Sequence, residues 1–385
     1  MARRKRISFV TGAAGFSGGW LIRELLEAGD RVIATDRKEV IGGDRHRGLL
    51  DVTETGMDAP GLEWRPADLL DVASIQEALP ERVDRVFHVA SLYDYSAPIE
   101  RLRAINVEGT RHLLAALAGH DLQRFVHWST CGVFGKPYTA ADGSQVNVPF
   151  TESSSSPRTA APELQGPKGT HLVNAYSLSK WEQERLIWES AGQGLPVNVI
   201  RPAPIYGPGS GYGHGGIALA IAHGMVPMIP LDAENYITAS VHVRDLARFA
   251  VHVAERADLV GEDYNIVDNS IISYREFLHY IALLCGRRIR DIPFIRMRHL
   301  RQLFLGAAHA ADYAQRRWGL SRPQMLEIQS ATYMASSYWL SNRKSLETGF
   351  EYRYPDVREG MKDTIAWMRE QGWLTDKNRL MQTTS

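Results

Sequence analysis

Cysteine is almost absent: Cys131 and Cys285 are the only two in 385 residues. That excludes a disulfide framework and fits a reducing compartment. Paired metal-ligand spacing is missing too. The nearest histidine groupings, His46 and His112 with His120, have no Cys or carboxylate at a useful offset, so no metal is expected. No charge of one sign dominates. Lys plus Arg equals Asp plus Glu at 44 each, which leaves no global field to draw nucleic acid. Long apolar runs are also lacking. The longest, 217–230, is broken by His223, Gly224 and Pro227 and falls short of the roughly 20 residues that span a bilayer. The basic stretch Arg3-Arg4-Lys5-Arg6 is followed by only a strand's length of apolar sequence, not the core of a signal peptide. A solvated tail is expected there, in a cytoplasmic protein, with peripheral contact to an anionic membrane surface as the alternative. Internal repeats are absent.

What is present is a large chain of ordinary globular composition, 44% apolar and 23% charged, long enough for one large domain or two intimate ones. Strand and helix patterns alternate along its first half. Strands are expected over 6–10, 31–36, 62–67, 83–90, 125–130 and 197–201. Helices are expected over 16–28, 72–79, 99–118 and 176–189, with one more short helix inside 37–60. Such alternation means a parallel sheet covered by helices on both faces. The expected fold is α/β, a Rossmann-type doubly wound parallel sheet with a smaller, mainly helical C-terminal lobe. Residues 1–202 would form the dinucleotide-binding domain, with a long Ser/Pro/Thr/Gly-rich loop at 138–174 over the substrate site. Residues 203–385 would be mostly substrate lobe, with some segments returning to the sheet. Helical patterns there fall at 217–223, 244–254 and 274–285, and 264–267 looks like a strand. The Arg- and aromatic-rich stretch 293–318 reads as a helical lobe, or as a stripe that docks on a membrane to collect a lipid.

Two separated stretches carry the chemistry. Thr11-Gly12-Ala13-Ala14-Gly15-Phe16-Ser17-Gly18 joins the first strand to the first helix. Gly12 permits a tight turn, Gly15 lets the backbone approach a pyrophosphate, and Gly18 lets helix and strand pack closely. The helix N-terminus then offers unpaired N–H groups to the phosphates. Asp36 ends the next strand, where a carboxylate accepts from both adenosine ribose hydroxyls. It favours NAD over NADP, although Arg37 beside it could pair with a 2′-phosphate. Asp68 ends the third strand as an adenine-side carboxylate or as a simple turn residue. The second stretch is Tyr176-Ser177-Leu178-Ser179-Lys180, which puts a phenol and an ammonium at i and i+4 on one helix face. A neighbouring ammonium favours the phenolate, so the phenol can exchange a proton with a carbinol while hydride passes to or from a nicotinamide. Ser129 and Thr130, at the end of the preceding strand, each offer a hydroxyl to steady the substrate oxygen.

In this order these residues resemble the extended form of the short-chain dehydrogenase/reductase family, from residue 6 to about 270. Thr11 to Gly18 is similar to its T-G-x-x-G-x-x-G loop. Asp68-Leu69 resembles its adenine-site pair, and His88-Val89-Ala90-Ser91 the strand end that backs the cofactor. Asn106-Val107-Glu108-Gly109-Thr110 resembles its N-V-x-G-T helix. Arg201-Pro202-Ala203-Pro204-Ile205-Tyr206-Gly207-Pro208 resembles the segment that walls the nicotinamide. The resemblance implies cofactor contacts at Gly12, Ala14, Gly15, Phe16, Ser17, Asp36, Arg37, Asp68, Leu69, Val89, Ala90, Ser91, Asn106, Tyr176, Lys180, Pro202 and Ile205. Lys180 would also reach the nicotinamide ribose. Aligning Val133-Phe134-Gly135 with the family's V-Y-G puts Thr130 at the catalytic hydroxyl position, with Ser129 in reserve.

Nucleotide-sugar epimerases and dehydratases of this family usually place an Arg shortly before the segment matching Val241-His242-Val243-Arg244-Asp245. Residues 236–240 contain none. The chain is more similar to the 3β-hydroxysteroid dehydrogenase and dihydroflavonol reductase branch, which implies a bulky hydrophobic alcohol or ketone as substrate. An epimerase or dehydratase with tightly held NAD is the alternative. The interval from Thr130 to Tyr176 is longer than the family usually has. Resemblance also implies a homodimer paired through the 99–118 and 176–189 helices.

Overall fold

Strand Ile7–Thr11 (β1) is buried along almost its whole length, Phe9 and Val10 completely, as a central strand covered on both faces must be. Phe16–Glu27 (α1), Arg31–Thr35 (β2), Asp44–Val52 (α2), Leu62–Trp64 (β3), Val72–Ala78 (α3) and Arg85–His88 (β4) follow. The protein is described by a computed structural model over residues 5–95, 97–135, 137, 146–154, 157–158, 172, 174–318 and 335–374. The next strand, Arg124–Trp128 (β5), is followed by helix Ala175–Gly192 and strand Val197–Pro202 (β6). A seventh strand, Asp263–Ile266 (β7), comes from far down the chain and pairs with β6, Asn265 opposite Arg201. All pairings are parallel and the spatial order is β7-β6-β5-β4-β1-β2-β3. The order reverses between β1 and β4, and the crevice beyond their C-terminal ends is where such a sheet binds ligands.

The sheet's boundaries differ from expectation in instructive places. β3 stops at Trp64 rather than at 67, although single bonds to the β2 side continue from Arg65 N to Ala34 O and from Ala67 N to Asp36 O; Pro66 between them sits on the open edge, where a missing N–H is tolerated. The helix expected over 99–118 is three pieces: Ile99–Arg103 (α4), a π-helical turn at Ala104–Glu108, and Gly109–Ala116 (α5). The wide turn accompanies a buried Asn106 whose side chain is bonded across to the chain at Leu92 and to Ser179.

Helix Ala175–Gly192 (α6) starts from an Asn174 cap whose side chain accepts from Ser177 N. After β6 come helices His214–Ala222 (α7), Val243–Glu255 (α8), Tyr274–Leu284 (α9) and Met297–Trp318 (α10), then Arg343–Glu347 (α11) and Val357–Glu370 (α12). Ser273 caps α9 through Glu276 N, as the sequence suggests. α8 returns to the sheet: Leu246, Ala247 and Ala250 join Trp20, Leu21 and Leu25 of α1 in one core. Each fully buried leucine there contributes roughly 1.5–3 kcal/mol relative to exposure. A second core unites Ile221 of α7, Phe277 and Ile281 of α9, and Met361 and Ile365 of α12 around Tyr206. Gly360 makes that contact close, since a Cβ there would lie 2.2 Å from the Tyr206 hydroxyl.

The loop expected to cover the substrate, 138–174, lies mostly outside the described residues. Its described stretch at 146–154 runs beside the β7 edge: Phe150 bridges to Leu340, and Glu152 accepts from Asn265 N. No helix among the described residues is long and apolar enough to cross a membrane. The 293–318 stretch holds α10, with Phe294, Leu303, Tyr313 and Trp318 exposed.

Candidate active site

The glycine turn sits at the C-terminal end of β1, where the strand order reverses. Gly12 has φ +68°, and a Cβ on it would come within 2.7 Å of the Ala90 backbone. A Cβ on Gly18 would lie 2.2 Å from Gly12 O and 2.8 Å from Ala13 Cα. Only glycine fits either place. Gly15 caps α1 without any side-chain bond, and the first turn, Phe16 and Ser17 included, carries no acid. The helix end therefore keeps its N–H groups and positive dipole for an anion. Ser91, two residues after Val89 on the far side of the crevice, holds a buried hydroxyl with no hydrogen-bond partner among the described residues. These features fit a dinucleotide: a cradle that a Cβ would fill, an uncapped helix start, and an orphan buried hydroxyl next in sequence to Ala90.

Asp36 stands at the end of β2 with both oxygens engaged by backbone. Oδ2 accepts from Ala14 N at 3.1 Å and Oδ1 from Arg37 N at 2.9 Å. Burial raises its pKa, and those two amides and the Arg37 charge pull the other way. Arg37 itself is exposed and paired with Glu39 at 3.0 Å. Asp68 forms a turn, accepting from Leu70 N at 2.9 Å. Leu69 is pressed against α5, where a Cβ on Gly109 would approach its own Cβ to 2.8 Å. Asn106 is fully buried, and its side chain bonds to Leu92 and Ser179.

Tyr176 and Lys180 occupy one face of α6, with Tyr176 7% and Lys180 2% exposed. Lys180 Nζ donates to Trp128 O at 2.7 Å and to Gln183 Oε1 at 2.5 Å. Burial lowers its pKa to about 7, against the pull of Glu184. Thr130 is half-buried and starts a 3₁₀ turn at Cys131–Phe134, its Oγ1 accepting from Gly132 N at 3.2 Å, with the Cys131 thiol as a neighbouring hydrogen-bond partner. Ser129 is placed differently. It is buried and donates to Glu184 Oε2 at 2.5 Å. Glu184 also pairs with Arg201 at 2.6 Å, and Arg201 with Asp263 at 2.7 Å. Ser129 thus belongs to an ion network that ties α6, β6 and β7 together.

Sequence reasoning missed the aromatic surroundings of Tyr176. Tyr93 meets it edge-on with centroids 5.0 Å apart, Tyr95 does so at 5.4 Å, and Tyr212 meets Tyr93 at 5.2 Å. The Tyr93 hydroxyl shares hydrogen bonds with those of Tyr95 and Tyr212. The available signal was Leu92-Tyr93-Asp94-Tyr95, directly after a strand end that backs the crevice. Tyr212 arrives on the segment after Pro202. That segment pairs Ile205 with Val241, accepts a bond from Trp20 Nε1 at Pro208 O, and sets Gly209 against Phe16. One wall therefore runs from the start of α1 to the ring cluster.

This geometry agrees with what comparison finds. The profile of the NAD dependent epimerase/dehydratase family matches residues 8–267. Among characterised relatives, the chain is 26% identical over 372 residues to sterol demethylase protein B of Methylococcus capsulatus, covering 95% of this chain and 99% of that one. It is 27% identical over 293 residues to a 3 beta-hydroxysteroid dehydrogenase/Delta 5→4-isomerase of Mycobacterium tuberculosis, covering 72% and 69%. Among solved structures, UDP-glucose 4-epimerase of Thermotoga maritima superposes with a TM-score of 0.66 at 19% identity, covering 95% of this chain and 99% of that one. At that identity the likeness is one of fold.

Proposed function

The chain belongs to the NAD dependent epimerase/dehydratase family, in the extended short-chain dehydrogenase/reductase group, and from that premise we propose that it is an NAD-linked dehydrogenase or ketoreductase. Its substrate is a secondary alcohol or ketone on a bulky apolar molecule, sterol-like or polyketide-like. NAD(P)-dependent chemistry is common to the family. The observation that carries the substrate reading is the packing of Tyr93 and Tyr95 edge-on against Tyr176, with Tyr212 extending the cluster beyond Tyr93. Aromatic walls reward a flat apolar ligand with area and edge contacts, and their hydroxyls steer a single polar group. The names of the sterol demethylase and hydroxysteroid dehydrogenase relatives support the same class. Asp36 supports NAD over NADP, because a second negative charge beside its carboxylate is repelled.

Bound at the glycine turn, NAD supplies or receives the hydride. The protein's own groups do the rest. Tyr176 gives or takes the proton at the substrate oxygen, and the Thr130 hydroxyl donates to that oxygen. Lys180 holds its ammonium on the Tyr176 face of α6, where it favours the phenolate. The ring cluster keeps water from the reacting carbon.

A second reading, a nucleotide-sugar epimerase with retained NAD, has one observation in its favour. Arg296, Arg298 and Arg301 at the start of α10 pull the Tyr236 phenol down against its burial, so cationic charge stands near 236–240 although that segment has no Arg of its own. Net change in NADH, assayed with NAD over hydroxysterols and nucleotide sugars and with NADH over ketones, separates the two readings. An epimerase shows none, whereas a dehydrogenase forms NADH from an alcohol and a ketoreductase consumes it with a ketone. Tyr176→Phe is expected to lose at least 100-fold in turnover while holding NAD as before. Undiminished turnover in that variant would end the acid–base assignment.

A further inference from the structure

A chain of buried polar side chains passes beneath the site, from the glycine turn to Lys180. Thr11 Oγ1 lies 2.8 Å from His88 Nδ1 and accepts from Ala90 N. His88 Nε2 lies 2.7 Å from Thr110 Oγ1. Gln183 Nε2 donates to the same Thr110 oxygen at 2.8 Å, and Gln183 Oε1 accepts from Lys180 Nζ. Thr11, His88, Thr110, Gln183 and Lys180 are each 2% exposed or less.

Donor bookkeeping directs the bonds around Thr110 and Lys180. Thr110 donates to Asn106 O at 2.7 Å, so its oxygen accepts from the Gln183 amide. Gln183 Nε2 also stands 3.2 Å from His88 Nε2: with its proton on Nε2, His88 donates to Thr110 and accepts from the Thr11 hydroxyl, and with it on Nδ1 the ring donates to Thr11 and accepts from Gln183. Burial keeps this ring neutral, with a pKa of about 3. The Gln183 amide has only one workable orientation. Turned over, it would face NH₂ against the Lys180 ammonium and leave Thr110 with a carbonyl instead of a donor. Two of the three Lys180 N–H groups are taken, by Trp128 O and Gln183, which leaves one for a ligand. The titratable groups around Lys180 are Tyr176, one turn away on the same face of α6, with Glu184 on α6, His88 on β4 and His127 on β5. Both imidazoles are held neutral by burial, and Glu184 is paired with Arg201.

We propose that Gln183 is a positioning residue: it anchors Lys180 through a buried hydrogen-bond chain whose other end is Thr11, on the nucleotide turn. The inference rests on Lys180 serving the reaction of the proposed function. A carbonyl oxygen at this point holds the ammonium in place without neutralising it, whereas a carboxylate would trap it.

The test reads Lys180 directly, by NMR titration of ¹³C-labelled lysine side chains in the cofactor-free protein, with Lys180→Met identifying the signal. Gln183→Glu is expected to move the Lys180 titration up in pH, and Gln183→Leu to move it down. Thermal unfolding checks that each variant is folded, and Gln183→Asn, which keeps both amide groups on a shorter stem, is expected to restore part of the wild-type value. In turnover assays Gln183→Leu is expected to lose about tenfold in kcat with little change in substrate KM and to shift the pH limb of kcat. Identical Lys180 titrations in the wild type and both folded variants would overturn the proposal. Shifted titrations in a protein with no NAD-linked turnover would leave the anchor standing and remove the proposed function instead.

Discussion

Tyr93 stands perpendicular to Tyr176, with ring planes at 90° and centroids 5.0 Å apart. Tyr93 is also half exposed, so one face of the ring meets Tyr176 and the other meets solvent. Under the proposed function the ring is a wall of the substrate site. Tyr93→Ala and Tyr212→Ala should each raise KM for an apolar ring substrate about tenfold, the loss of one aromatic contact. NAD affinity should be unaffected. Steady-state kinetics against NAD titration by fluorescence separates the two effects, and unaltered KM in both variants would argue against a ring-lined substrate site.

Asp36 spends both carboxylate oxygens on the amides of Ala14 and Arg37. Its charge is thus held at a fixed spot beside the turn. Asp36→Asn keeps the shape and removes the charge. NAD binding should weaken by about tenfold, at the low end of the roughly 1.5–3 kcal/mol of a bond to a charged group, and the preference against NADP should shrink because the carboxylate no longer repels a 2′-phosphate. Isothermal titration with both dinucleotides measures this; an unaltered ratio of the two affinities would count against the ribose assignment.

Lys180 makes stability depend on pH. Burial lowers its folded pKa to about 7, while an unfolded lysine titrates near 10.4. Between those values the unfolded chain binds more protons. Stability therefore rises with pH across that window, by at most about 1.4 kcal/mol per pH unit from this group. The cost of the buried charge is fully present below the folded pKa. Lys180→Met should abolish that slope. Urea unfolding of wild type and variant from pH 6.5 to 9.5, without cofactor, should give curves that diverge with pH; parallel curves would mean that Lys180 stays charged throughout.

Much of this was legible in the chain. The order of strands and helices through β6 follows from apolar periodicity, and the turn follows from glycines that no other residue could replace at Gly12 and Gly18. Tyr176 and Lys180 stand on one helix face because i and i+4 always do. What was not legible depends on tertiary pairing. Ser129 and Thr130 are neighbours of like chemistry, and only the position of Glu184 separates a buried network member from a half-exposed hydroxyl. The π turn inside 99–118 leaves no mark in periodicity. Tyr93 and Tyr212 are more than a hundred residues apart, and no local pattern brings them together.

The seventh strand has a consequence for how the molecule is made. Asp263 of that strand balances Arg201, whose side chain is completely enclosed. Until synthesis passes residue 266, β6 is a bare edge and the guanidinium lacks one of its two counter-charges. Half a sheet in that condition is sticky. The nucleotide-binding half is therefore no module that could be excised or fused at 202; trypsin should digest such a fragment throughout, because its closure is completed only by sequence lying beyond the first part of the second lobe.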